Sequence, residues 1–177
     1  MPQAVTHILL TIILVDLFRD YFMKKKHHKK YLTLHTLFIA GLGGILPDID
    51  VLLRMIAQLF NFQTNYLLSH GGITHTPFFA LLFLIPGIIL WKKKKHKQAM
   101  YLYVISFGIM LHIILDYTLG GGHHEGIMWL FPFTMNAWKI HLLNQLNLSS
   151  VPQALDAVIL LAWLWHEEVK HKIKDFI

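Results

Sequence analysis

Residues 100–119 read MYLYVISFGIMLHIILDYTL, an apolar run whose only His, Lys, Arg, Asp or Glu are His112 and Asp116. As a helix, a run of this length crosses the ~30 Å hydrocarbon core of a bilayer. An ionised aspartate inside such a span is costly without a partner, so it marks a functional site by default. His112 and Asp116 are four residues apart, about 40° around a helix axis, and point the same way. The structural alternative is a His–Asp hydrogen bond that holds two helices together.

Four more apolar stretches flank this one, at roughly 4–18, 31–46, 77–91 and 151–165. They are shorter, about 22–25 Å as helices, so the bilayer thins around them or some sit partly in the interface. Over all 177 residues, 55% are apolar and 15% charged, with a mean hydropathy of +0.48. Soluble domains carry about 25% charged residues. The expectation is an all-α, polytopic membrane helical bundle of about five transmembrane helices, some of them short, in a single domain covering 1–177. A soluble bundle with buried helices is the alternative. No stretch reads as strand, and the N-terminus lacks the basic region and cleavage site of a signal peptide. With no cysteine, any metal site must use nitrogen and oxygen ligands.

The charges orient the bundle. Arg19, Lys24, Lys25, Lys26, Lys29 and Lys30 follow the first stretch; Lys92, Lys93, Lys94, Lys95 and Lys97 follow the third; Lys170, Lys172 and Lys174 follow the fifth. Only Arg54 and Lys139 remain for the opposite face. With five spans those three segments share a side, which positive-inside places in the cytoplasm, leaving the N-terminus outside in the plasma or inner membrane. The net charge of +6 then reports topology, and nucleic acid is not an expected partner. Helix ends are marked by Pro47, which disfavours helical geometry before it, by Thr76-Pro77 as cap and first-turn proline, and by Ser150 with Pro152.

Four polar segments interrupt this pattern: Thr6-His7, Leu46-Pro47-Asp48-Ile49-Asp50, His70-Gly71-Gly72-Ile73-Thr74-His75, and His112 with Asp116. The topology, fixed by basic residues alone, puts all four at the outer side. His70 and His75 would diverge by about 140° on one helix, but the intervening glycines let the chain fold so that both imidazoles converge. Asp48 and Asp50 read equally well as ligands or as a helix cap and turn.

Taken in order, the segments TH, LPDID, HxGxTH and HxxxD, with the Gly-rich stretch ending in Trp129-Leu130-Phe131-Pro132, resemble the YdjM-type membrane-bound metal-dependent hydrolases. The matches run from residue 6 to about residue 132. That family in turn is similar to zinc-dependent phospholipases C, α-helical enzymes that hold two or three metals through His and Asp. The resemblance implies a metal-dependent hydrolase with phosphoester bonds as target. It makes His7, Asp48, Asp50, His70, His75, His112 and Asp116 ligands or their immediate supports. Gly71 departs from the family pattern, which has Arg there; a phosphate clamp at that position would need a substitute. The loop Gly120–Glu125, with His123 and His124, is either an exposed polar loop or an extra ligand source.

Other features lead nowhere. His166 and His171 flank acidic residues, but zincin histidines are four apart and these are five apart. The lysines around His27 and His28 repel a dication and suit anionic lipid. His35, His96 and His141 lack an acidic partner at ligand spacing. The expected chemistry is hydrolysis at the outer interface on a lipid or lipid-linked phosphoester. Zinc is expected, with manganese or iron also suited and two ions accommodated. Such an ion lowers the pKa of water toward ~7, and Asp48 or Asp50 takes the proton. The rival expectation is a non-catalytic protein in which metal staples helices or is transported.

Overall fold

A computed structural model describes residues 4–21, 32–62, 70–119, 126–140, 142–145 and 153–171. The helices are α1 (Ala4–Tyr21), α2 (Leu34–Ile45), α3 (Ile49–Leu59), α4 (Pro77–Lys92), α5 (His96–Leu119), the single turn α6 (Leu142–Gln145) and α7 (Gln153–His171). Each of the five apolar stretches carries a helix over most of its described residues. Among the described residues the only β pairing is an isolated bridge between Ile127 and Trp138. The basic run at Lys24–Lys30, the Gly120–Glu125 loop, the Ser150–Pro152 cap, and Lys172 and Lys174 lie outside the described residues.

The bundle buries many polar side chains beside its apolar core and turns large apolar ones outward. Its interior holds Thr6, His7, Thr11, Asp16, Thr36, His75, Ser106, His112 and Asp116, while Leu34, Phe38 and Ile85 face outward at 76%, 67% and 53% exposure. Water does not favour that arrangement, but a lipid solvent does. His96–Leu119 is long and apolar enough to cross a membrane, Leu34–Leu59 reaches that length only when α2, α3 and the turn between them are counted together, and Pro77–Lys92 is a shorter apolar helix.

Helix α5 is the axis. It packs against α4 and α2, with α1 lying across α2 and α5 and α7 resting on α1. Glycines set the closest of these approaches: a Cβ on Gly108 would stand 2.6 Å from the backbone of Gly43 and Gly44, and one on Gly43 2.8 Å from the backbone of Ile105. Small residues at such a crossing let helices meet backbone to backbone in lipid. The crossing lies one helical turn before His112 and fixes the site's depth.

The contacts of α7 on α1 run in parallel. Thr6 donates to Asp156 at 2.7 Å near their N-terminal ends, and the Trp163 indole donates to Asp16 at 3.3 Å further along. Parallel first and last helices are what an odd number of crossings requires.

Pro47 acts as the sequence indicates, but the chain does not leave the helix there. Helix α2 ends at Ile45, a 3-10 turn covers Leu46–Asp48, and α3 begins at Ile49. Proline is tolerated in the first turn of a new helix, where its missing N–H goes unused, so the residue that ends α2 also starts the next turn. Thr76 caps α4 by accepting from the Phe79 N–H at 3.4 Å.

Candidate metal centre

Four elements end at one level of the bundle. Helix α1 contributes His7 from its first turn, the α2–α3 junction Asp48 and Asp50, the turn before α4 His70 and His75, and α5 His112 and Asp116. The structure brings all seven sequence-derived residues together. Two triads each place one ligand atom per residue within 4.8 Å of the others: His7, His112 and Asp116, and Asp48, His70 and His75.

The convergence has local causes. Gly71 has φ +83°, a backbone region open mainly to glycine. It reverses the chain so that the His70 and His75 rings lie 4.8 Å apart at 80°. A 3-10 turn, Ile73–His75, closes with the His75 N–H donating to the Gly72 carbonyl at 3.0 Å. His7 stacks on His112 with ring centroids 3.8 Å apart and planes 18° from parallel.

The distances separate ligands from supports. His75 Nε2 lies 3.5 Å from Asp48 Oδ1 and 3.7 Å from Asp116 Oδ2, and His112 Nε2 lies 3.6 Å and 3.4 Å from the same two atoms. Those spacings are longer than good hydrogen bonds, at about 2.7–3.2 Å. Donor atoms around one tetrahedral ion, with bonds of about 2.0–2.2 Å, stand roughly 3.3–3.6 Å apart. His75 Nε2 and His112 Nε2 are buried and have no hydrogen-bond partner, a costly state for a polar atom unless a ligand satisfies it. The donor set therefore fits a divalent ion.

Behind these atoms, hydrogen bonds fix the rings. The Gly44 carbonyl lies 2.7 Å from His112 Nδ1, which sets the tautomer with Nδ1 protonated and Nε2 free to ligate. Asp50 sits 3.0 Å from His70 Nδ1 and 3.3 Å from His75 Nδ1, and accepts from the Thr74 hydroxyl at 3.0 Å and the Gly71 N–H at 3.3 Å. Such carboxylate–histidine pairs orient metal-binding imidazoles. Asp50 thus faces Nδ1 of both His70 and His75, whereas Asp48 Oδ1 faces Nε2 of His75 and of His112 and stands 4.0 Å from His70 Nδ1. Burial works against charge on His75, but the carboxylates of Asp48 and Asp50 outweigh it and raise its pKa to about 9. A metal arriving there displaces a proton.

Among the described residues the centre opens toward Asp48 and His70. The side chains of Asp48 and His70 are each 25% exposed, while those of His75, His112 and Asp116 are at most 4% exposed. Lys139 borders the same end: the Ile140 N–H donates to the Tyr117 carbonyl at 3.0 Å, pinning the segment beside Asp116. Partial burial lowers the Lys139 pKa while the Asp116 charge opposes that shift.

A second polar cluster, only partly anticipated by the sequence, lies at the other end of α1. Asp20, His166 and Glu167 form a third triad within 4.8 Å, but the Arg19 guanidinium pairs with Asp16 and reaches Asp20 at 3.4 Å and Glu167 at 4.0 Å. Here the protein supplies its own cation. The spacing of Asp16, Arg19 and Asp20 on one face of α1 is the signal that could have marked it. His96 lies against Trp91, with centroids 4.4 Å apart, away from the metal centre.

A helical bundle with an apolar exterior and an internal His/Asp centre able to hold metal defines the class. The family follows from comparison: the model of the YdjM inner membrane protein family matches residues 1–172, and the chain belongs to that family. No curated protein and no solved structure matches the chain.

Proposed function

We propose that the protein is a metal-dependent hydrolase acting at the outer membrane interface on a phosphoester of a lipid or lipid-linked substrate. The observation that carries this reading is a pair of abutting His/Asp triads, buried on one side and open at Asp48 and His70. Structural metal sites are coordinatively closed, whereas catalytic ones keep a position open. Bound there, a divalent ion, zinc foremost and manganese or iron also suited, would supply a more acidic water and polarise a phosphoryl oxygen.

The chain's own residues have separate tasks in this scheme. His7, His112 and Asp116 would hold one ion and His70, His75 and Asp48 a second, with Asp48 and Asp116 each within 3.7 Å of both His75 Nε2 and His112 Nε2 and so placed to serve either ion. Asp48, the more exposed carboxylate, also accepts the proton of the attacking water. Asp50 keeps His70 and His75 in register and, saturated with hydrogen bonds, does not itself exchange protons with water. Lys139 supplies positive charge near Asp116, in place of the arginine that Gly71 replaces.

Purified protein loaded with Zn²⁺ or Mn²⁺ should release a headgroup or phosphate from a membrane lipid, and a chelator should stop the release. Intact lipids across a broad panel under several metals would sink the catalytic reading. The rival, metal transport, draws on the Asp20–His166–Glu167 cluster at the opposite end. Arg19 within that cluster disfavours passage of a dication. Orientation is tested with single cysteines, since the chain has none of its own. In intact cells an impermeant thiol reagent should label Asn136→Cys and spare Lys94→Cys. The reverse pattern would invert the topology.

A further inference from the structure

Helix α3 runs on from the metal centre, yet almost none of it packs on the bundle's described residues. Asp50 is buried at the site, while Leu52, Leu53, Met55, Ile56 and Leu59 are 55%, 48%, 57%, 43% and 80% exposed. At 100° per residue these five fill one arc of roughly 160°, and Asp50, Arg54 and Gln58 fall on the opposite arc. With 11 residues, α3 is about 16 Å long and too short to cross a bilayer. An isolated apolar face of this kind in water would mark a docking or aggregation surface.

Its level in the bundle says what covers it. Helices α1 and α4 begin at the metal centre, with His7 in the first turn of one and His75 just before the other. A helix leaving the centre away from α2 therefore emerges where the spans end. A second segment at this level is also apolar and exposed: Leu130, Phe133 and Met135 are 55%, 93% and 57% exposed. Phe131 anchors that loop on Phe78 at the start of α4, with ring centroids 5.9 Å apart. Two apolar projections thus flank one polar site, and both continue the outward-facing apolar surface of α2 and α4.

We infer that α3 lies in the plane of the membrane interface, with its Leu52–Ile56–Leu59 face in the acyl boundary. Together with the Phe133 loop it seats the metal centre at headgroup depth. The partner is the bilayer itself, not a second protein. Amphipathic helices with a wide apolar arc bind interfaces in this way, burying that arc a few ångströms below the headgroups while the polar arc stays wet. Arg54 and Gln58, one and two turns beyond Asp50, then face the headgroup layer above the site. The placement holds whether or not the centre is catalytic.

The test uses the full chain in vesicles of phosphatidylethanolamine and phosphatidylglycerol, with one spin-labelled cysteine at a time. Labels at Leu52, Ile56, Leu59 and Phe133 should collide more with oxygen, which concentrates in lipid, than with a water-soluble nickel chelate. Labels at Arg54 and Gln58 should show the opposite preference, giving a period of about 3.6 residues along α3. Nickel access at every α3 position would overturn the inference by placing the helix in water. Exclusion of both reagents from Leu52, Ile56 and Leu59, with spin–spin broadening that fades on dilution with unlabelled protein, would overturn it in favour of a second copy. All of these positions are exposed, so the substitutions leave packing intact, and elution as a single species checks that they do.

Discussion

His75→Ala and Asp116→Asn are each expected to weaken metal binding by more than the ~10–100-fold typical of losing an outer-shell partner. Both side chains lie within 3.7 Å of opposing ligand atoms, and His75 Nε2 is a buried atom with no hydrogen-bond partner. Asp50→Asn should fall inside the 10–100-fold range, because Asp50 contacts the far nitrogens of His70 and His75. His35→Ala and His96→Ala should bind metal as the parent does. A competition titration with a chromogenic chelator separates the three levels. Metal binds only the folded state, and at 100 times its Kd it stabilises by about 2.7 kcal/mol; His75→Ala and Asp116→Asn should lose that increment in thermal unfolding. If Asp116→Asn keeps full affinity, Asp116 is a packing residue and the α5 pair leaves the centre.

Gly108→Ala should be the most damaging single-methyl addition at the α2–α5 crossing. The added carbon would stand 2.6 Å from backbone atoms of Gly43 and Gly44 and 2.9 Å from the Ala40 carbonyl oxygen, so α2 and α5 must separate. Backbone cannot swing aside as a side chain does, which puts the cost at about 3 kcal/mol or more, the top of the overpacking range. The same separation draws His112 Nδ1 away from the Gly44 carbonyl, so metal affinity should fall although no ligand has changed. Gly41→Ala is the matched control: its added carbon meets the flexible tip of Ile12 at 3.0 Å, and it should retain both stability and metal. Equal behaviour of the two variants would show that the α2–α5 approach does not set the site.

The sequence carried the helices and the ligand set for identifiable reasons. Length and apolarity alone define α1, α4 and α5, and the four-residue spacing of His112 and Asp116 survives in any helix. The convergence of His70 with His75 was legible because a glycine pair is the cheapest way to bring side chains five apart to one point. Other features were not legible, for equally physical reasons. Helix α3 was hidden because Pro47, Asp48 and Asp50 carry the signals of a stop, and the same residues serve as a start. Its amphipathic period, with Asp50, Arg54 and Gln58 each four apart, was present but lay outside the five apolar stretches, just past residues that read as a cap and turn. The division between Asp48 at the ligand side and Asp50 behind the histidines depends on which ring nitrogen each carboxylate meets. Spacing two apart cannot reveal that. The Gly44 carbonyl partner of His112 is a backbone atom 68 positions away, and no residue pattern records it. The Arg19 cluster joins α1 to α7 across nearly the whole chain, and only packing shows that Glu167 completes it.

The most direct test of a shared His/Asp metal centre is X-ray absorption on detergent-purified protein titrated to saturation with zinc. Two ions per chain are expected, each with nitrogen and oxygen neighbours at about 2.0–2.2 Å and imidazole scattering beyond. A metal–metal feature is expected at about 3.5–4 Å, the separation of paired catalytic sites. Zinc bound only by oxygen, without imidazole scattering, or no zinc retained at all, would contradict it.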